Sequence, residues 1–282
     1  MRQQHSFLRR LVGFPKGLVV GLAIVCLAGA QHACQPGAPE HSDAPEEPTA
    51  EHAPETGGGE VHWTYDGETG AARWGELDPS FAVCAEGAQQ SPVDLAGPAP
   101  ADAGTLDIQW QPGEAHVVDN GHTIQVDMGE GSSITLEGRR FSLLQFHFHS
   151  PSEHAVDGDR FPMEVHFVHQ AEEGDLAVVG VFMDTGESHS AIESIQGAIP
   201  GPGEPPATLQ ELDPRALLPG EAGYFRYAGS LTTPPCSEVV SWVVMTEPIS
   251  VSPAQAGAFA ARHAMNARPL QAMNRRFILL QR

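Results

Sequence analysis

Lysine is all but missing from this sequence. Lys16 is the only one in 282 residues, so arginine is the sole strong cation downstream of it. Basic residues total 15 against 36 acidic ones, a formal charge of −21 at pH 7. Such a surface repels nucleic-acid phosphates and anionic headgroups, which excludes nucleic acid as a partner. Long apolar runs are scarce too: the stretch 17–30 falls short of the roughly 20 residues that span a bilayer comfortably. No segment recurs with a period of about 20–50 residues, which argues against a solenoid or propeller.

Turn formers are abundant, at 30 Gly and 24 Pro, and they favour many turns and few long helices. Arg9, Arg10 and Lys16 precede the apolar stretch, and Ala28-Gly29-Ala30 offers small-x-small cleavage. Residues 1–30 therefore read as a signal peptide, and the protein as exported, to the periplasm or beyond. A second reading ends the leader at residue 33 and places a lipid on Cys34. Gln31 and His32 fit that reading poorly, yet the stretch that follows suits a tether. Residues 35–60 are Pro-rich and acidic with no basic group, and they bury too little surface to fold, so 31–60 is expected to be a disordered linker. A lipid on Cys34 would be the one route to a membrane, and a single acyl chain holds weakly.

Residues 61–282 read as one domain, with 29 acidic and 11 basic groups. Cys84 and Cys236 are its only cysteines. In an oxidising compartment they are expected to pair, closing a loop of about 150 residues worth on the order of 4–5 kcal/mol. Two buried thiols are the alternative. Apolar runs broken by Gly, Pro and Asp predict strands at 122–128, 133–136, 141–150, 163–170, 176–183 and 239–245. The fully apolar 176–183 reads as buried on both faces, central in a sheet. Ser252-Pro253 starts a helix running to about residue 263, and 187–197 is a second, with Ile192 and Ile195 on one face. The fold class is mainly β (α+β).

In Gln145-Phe146-His147-Phe148-His149, the two-residue period of a strand sends Gln145, His147 and His149 to one face and both phenylalanines to the other. Two imidazoles on a rigid strand suit a metal, because Zn–N bonds of about 2.0–2.1 Å require the nitrogens to converge. His-x-His alone is a weak signal. The next strand repeats the alternation: Glu164 and His166 share a face, and a hairpin through Gly158-Asp159 would set His166 beside His149. Three histidines without a fourth protein ligand describe a catalytic zinc site with one position left for water. Gln145 and Glu164, two residues before His147 and His166, are placed to accept the other ring N–H. His169 faces away and reads as a buried, hydrogen-bonded histidine. His154 reads as packing or loop support, His263 as a structural residue near a helix C-terminus, and His62, His116 and His189 as solvated.

With these residues in view the chain resembles the α-class carbonic anhydrases, of the exported bacterial type. The likeness runs through most of 61–282: His62-Trp63-Thr64-Tyr65, Trp74, Gln90 to Asp94, Asn120-Gly121-His122, Gln145 to His149, Ser152-Glu153-His154, Glu164-Val165-His166, Gly229 to Pro235, and Asn266 to Gln271. Each block is modest alone; in this order they are specific. The resemblance implies a single domain around a large, mostly antiparallel, twisted central sheet with short peripheral helices. It implies one Zn2+ per chain on His147, His149 and His166, with Gln145, Glu164 and the backbone carbonyl of Asn266 as acceptors behind them. It also implies reversible hydration of CO2 to bicarbonate and a proton by attack of zinc-bound hydroxide. Thr232 would accept from that hydroxide and donate to Glu153. Val168, Val178, Leu231, Thr233, Val240 and Trp242 would wall the CO2 pocket. His122 would export the proton, a task suited to an ordinary pKa near 6.5, with Tyr65 and Gln125 along the water chain. Cys84 and Cys236 fall where secreted members place a disulfide. Monomer and homodimer both stay open.

Two other readings compete. His147-x-His149-x3-Glu153 fits part of a cupin motif, with Glu153 a ligand of iron or manganese, but the glycine spacing fails and Thr232 has no role. A zinc-free binding module of carbonic-anhydrase type would have lost ligands, and none is lost here.

Overall fold

The computed structural model describes residues 61–201, 203–220 and 223–282. The expected signal segment, 1–30 or 1–33, and the linker 31–60 lie outside them. The described residues belong to one compact unit, Gly57–Arg282, and none of their helices is long and apolar enough to cross a membrane.

Thirteen strands join in one sheet: β1 (Ala99–Pro100), β2 (Leu106–Gln109), β3 (Gly113–Asp119), β4 (Ile124–Met128), β5 (Ser133–Leu136), β6 (Arg139–His149), β7 (Met163–Gln170), β8 (Leu176–Thr185), β9 (Ala207–Leu212), β10 (Tyr224–Gly229), β11 (Val240–Met245), β12 (Ile249–Val251) and β13 (Leu279–Gln281). Their order is β1-β13-β10-β11-β8-β7-β6-β4-β3-β9, with β12 added to β8 and β2 joined to β6 through β5. Only β1–β13, β8–β11 and β8–β12 pair parallel, so the sheet is mixed but mostly antiparallel, as expected. Among the described residues four short α-helices accompany it: α1 (Trp74–Leu77), α2 (Val83–Glu86), α3 (Ser190–Gly197) and α4 (Pro253–Ala260).

The apolar run of β8 is buried from Ala177 through Met183 and lies between β7 and β11, the central place its composition calls for. One face of the sheet carries the larger core, where Phe146, Phe148, Val165 and Phe167 meet Ile192 and Ile195 of α3. The opposite face carries a second cluster around Val168, Val178, Phe182 and Trp242.

An irregularity in β6 decides which residues reach which face. Its register against β7 shifts between Leu143 and Gln145, so Phe141 and Leu143 share the larger core with Phe146 and Phe148 despite opposite parity. A bulge of this kind inserts one residue and reverses the alternation beyond it. Gln145, His147 and His149 are thereby sent to the other face.

α4 begins as the sequence indicates: Ser252 Oγ accepts the Gln255 N–H, and Gln255 Oε1 accepts the Ser252 N–H, a reciprocal cap before Pro253. It ends at Ala260, short of the expected residue 263, and packs Phe259 on Phe148 with ring centroids 4.7 Å apart. The strand expected from 122 begins at Ile124 instead. Residues 120–123 form a tight turn, in which Asn120 Oδ1 accepts the His122 and Thr123 N–H groups and Gly121 takes a φ of 85°.

Candidate active site

β6 and β7 pair His147 with His166 and His149 with Glu164. The cross-strand partner of His166 is therefore His147 rather than His149, although the His149 ring is nearer, at 4.5 Å between centroids against 5.6 Å. Each ring is fixed from behind. His147 Nδ1 donates to Gln145 Oε1 at 2.8 Å, and His149 Nδ1 donates to the Asn266 carbonyl at 2.7 Å. His166 Nε2 stands 2.9 Å from Glu164 Oε1. These contacts leave Nε2 of His147, Nε2 of His149 and Nδ1 of His166 as the free lone pairs. One ligand atom from each of the three histidines lies within 4.8 Å of the others.

The fit to a metal can be tested on atoms left over. His149 Nε2 is buried and has no hydrogen-bond partner, and neither has Glu153 Oε2, which lies 3.6 Å from it and 3.8 Å from His166 Nδ1. Buried polar atoms without partners are costly, and the unpartnered His149 Nε2 opens toward the space that His166 Nδ1 also borders, while His166 Nε2, close to Glu164 Oε1, is out of line for a hydrogen bond with it. A donor set of three neutral imidazoles suits zinc. Burial, and then the neighbouring histidines, push the pKa of His147 well below its ordinary value, and burial lowers that of His149. Burial works the same way on His166, but Glu164 and Glu153 beside it outweigh burial and raise its pKa.

Behind the three histidines lies a buried network. His154 is fully buried; its Nδ1 meets Glu164 Oε1 at 2.8 Å and its Nε2 meets the Tyr227 hydroxyl at 2.6 Å. Glu164 Oε2 accepts the Glu153 and His154 backbone N–H groups, both at 2.9 Å. Tyr227 donates to Ser91 Oγ at 3.0 Å, and Ser91 exchanges hydrogen bonds with Ser230. His154 thus carries the support of His166 outward to the Ser230 loop, and of the two expected roles, packing and loop support, it takes the second. Arg268 escaped the sequence reading altogether. Its buried guanidinium donates to Gln90 Oε1, Ser91 O and Cys84 O, while its backbone N–H donates to Glu153 Oε1 at 2.8 Å. In a domain whose only strong cations are arginines, the Asn266-Ala267-Arg268 stretch was the available signal.

The other named residues gather around this centre. Val168, Val178, Val240 and Trp242 form one buried apolar cluster with Leu231 packed against it, and Trp242 lies edge-on to His166 at 4.8 Å. Trp242 Nε1 also holds the Ser230 carbonyl at 3.0 Å, steadying the loop that continues through buried Thr232 and through Thr233, whose carbonyl accepts the Cys236 N–H at 2.9 Å. Gln125 faces His147 across β4 and β6. Tyr65 packs edge-on to Trp63 and Trp74, and burial, followed by the Glu153 charge, holds its hydroxyl well above the usual pKa. His122 stacks on Trp63 with centroids 3.8 Å apart. The Cys84–Cys236 disulfide is formed. Of the histidines read as solvated, His62 is exposed, whereas His116 bonds Thr208 Oγ1 at 3.1 Å and His189 bonds the Ala216 carbonyl at 3.0 Å. His169 is buried as expected.

Three convergent imidazoles on a β-sheet, with no fourth His, Cys or carboxylate grouped with all three among the described residues, fit a mononuclear metal centre of catalytic type. A sequence model of the eukaryotic-type carbonic anhydrases matches residues 69–282. A carbonic anhydrase of a Nostoc species is 41% identical over 226 residues, covering 78% of this chain and 86% of the relative. The solved α-carbonic anhydrase of Photobacterium profundum is 43% identical with a TM-score of 0.74, covering 77% of this chain and 100% of its own. That of Thermovibrio ammonificans, solved with the inhibitor sulfanilamide, is 39% identical with a TM-score of 0.75, covering 78% and 100%. The chain belongs to the eukaryotic-type, or α-class, carbonic anhydrase family, and the cupin reading falls.

Proposed function

We propose that this protein catalyses the reversible hydration of CO2 to bicarbonate and a proton, with one Zn2+ held by Nε2 of His147, Nε2 of His149 and Nδ1 of His166. The observation that carries the reading is the convergence of three imidazole lone pairs whose other ring nitrogens each face an acceptor, half-buried Gln145 Oε1, the buried Asn266 carbonyl and buried Glu164 Oε1. When bound, zinc supplies a Lewis acid that makes water a nucleophile near neutral pH.

The chain's own residues do the rest. Arg268 N–H occupies Glu153 Oε1 and leaves Oε2 to accept from the Thr232 hydroxyl. With its proton committed there, Thr232 Oγ1 is an acceptor only, and it aims the attacking oxygen at the substrate. The Val168, Val178, Leu231, Val240 and Trp242 wall suits a small uncharged molecule, with Thr233 at its polar margin. His122 takes the released proton at its ring, by way of waters bordered by Tyr65 and Gln125, and passes it to bulk buffer.

CO2 hydration by stopped flow on metal-quantified protein tests this reading. The His166→Ala variant is expected to lose both zinc and activity, and equal rates in variant and wild type would refute the mechanism. For the setting, we propose export, with 1–30 as signal peptide or, on the second reading, 1–33 followed by lipid on Cys34. The disulfide supports an oxidising compartment. Membrane-fraction protein that disappears in Cys34→Ala decides for the lipid; an unchanged fractionation decides for the soluble form.

A further inference from the structure

Asp119 closes β3 immediately before the turn that carries His122. Its Oδ1 accepts the Gly121 N–H at 3.2 Å and also lies 2.9 Å from His263 Nε2. Its Oδ2 is 3.4 Å from Arg262 Nη1. The Asp119 and His263 side chains are largely withdrawn from water, at 19% and 14% exposure, so their bond competes with little solvent. Arg262 and His263 follow α4, both returning their N–H groups to the Phe259 carbonyl at 3.0 Å. Phe259 in turn is seated on Phe148, between the two ligands of β6. Three residues past His263, Asn266 accepts His149 Nδ1 on its carbonyl and donates its side-chain amide to the His122 carbonyl at 3.1 Å.

One short segment, 262–266, therefore grips His149 with the Asn266 carbonyl, the His122 turn with the Asn266 amide, and Asp119 beside that turn with Arg262 and His263. A proton acceptor borne on a turn serves only at a fixed reach from the reacting water, because transfer along hydrogen bonds falls away steeply with misplacement. The Gly121 peptide is the weak point of that turn, since glycine at a φ of 85° has many other conformations open to it. Asp119 Oδ1 holds that peptide, and His263 holds Asp119.

We infer that the Asp119–His263 pair is a positioning device for proton export, fixing the His122 turn against the segment that supports His149. The inference rests on the reading of His122 as the exporting group. His263 thereby gains a role beyond that of a structural residue at a helix end. Asp119 Oδ1, a carboxylate oxygen, can only accept, so His263 Nε2–H is the donor of this bond.

The test uses the zinc-loaded full enzyme in weak buffer, because kcat/KM covers steps up to the departure of bicarbonate and proton export follows them. In Asp119→Ala and in His263→Ala, kcat is expected to fall about tenfold, with kcat/KM and zinc content unchanged. Added imidazole, a soluble proton acceptor, should restore kcat. Asp119→Asn and His263→Gln preserve the acceptor and the donor and should recover most of the loss; these two, beside His263→Leu, carry the same test if the alanine variants do not fold. Wild-type kcat in the disrupting variants, alongside a slow His122→Ala, would overturn the inference alone. Wild-type kcat in His122→Ala would overturn the export reading beneath it. A joint fall of kcat and kcat/KM with loss of zinc would mark the contact as merely structural and overturn the inference as well.

Discussion

Trp110 Nε1 donates to His169 Nε2 at 3.0 Å, which leaves Nδ1–H to donate to the Ala177 carbonyl at 3.3 Å. Protonating Nε2 would break the tryptophan bond inside the core, and burial pulls the His169 pKa down to about 3. An unfolded histidine titrates near 6.5. Between those values the unfolded chain binds a proton that the native ring refuses, so the stability from this group is complete above pH 6.5 and is lost as pH falls toward 3. The slope approaches about 1.4 kcal/mol per pH unit, or about 2 kcal/mol between pH 7 and pH 5. Urea unfolding at those two pH values should show His169→Gln losing about 2 kcal/mol less than wild type, since the amide can still accept from Trp110 and donate to Ala177. Identical losses would remove His169 from the acid limb. His169 was legible because its odd spacing from His166 sends it to the opposite face. Arg268 and His154 were not, because what defines them is partners brought from as far as 184 positions away.

At the scale of elements, the ligands depend on a glycine in a neighbouring strand. Gly180 of β8 pairs with His166 of β7, and a Cβ placed there would stand 2.9 Å from Glu164 Oε1. That oxygen serves His166 and His154 together, so displacing it loosens both. Gly180→Ala is expected to weaken zinc binding about 10–100-fold, the usual effect of disturbing a ligand's support, and chelator competition will measure it. Wild-type affinity would mean the carboxylate can step aside without cost. The strands that bear the site were readable: 163–170 matches β7 at both ends and 141–150 covers most of β6, while 133–136 matches β5 beside it. The bulge in β6 was not, because an extra residue shows only against its partner strand. β2 and β9 also escaped, since they mix exposed and half-buried positions and pair with strands further along or back in the chain, β5 and β3.

Across the described molecule, the stretch 61–98 before β1 is tied to the Ser230–Cys236 loop at a single covalent point. Cys84 and Cys236 are 152 positions apart, and the apolar cluster around the bridge holds Trp74, with Trp63 and Tyr65 packed on it. The Cys84 carbonyl accepts from Arg268 Nη2, and the same residue's backbone N–H holds Glu153. The bridge thus touches both ends of the proposed Thr232–Glu153 pair, Cys236 through the loop and Cys84 through Arg268, whereas the three histidines sit on β6 and β7 away from it. Removing the bridge as Cys84→Ser/Cys236→Ser should lower the unfolding free energy by on the order of 4–5 kcal/mol in the chain-entropy account. Where the variant still folds, zinc content should stay near one per chain while kcat/KM drops, because the ligands keep their strands and the loop loses its clamp. Zinc analysis beside CO2 hydration on the same preparation separates the two effects. Full turnover by a folded, zinc-loaded variant would show that hydrogen bonds alone, through Ser230, Trp242 and Arg268, hold the loop in place.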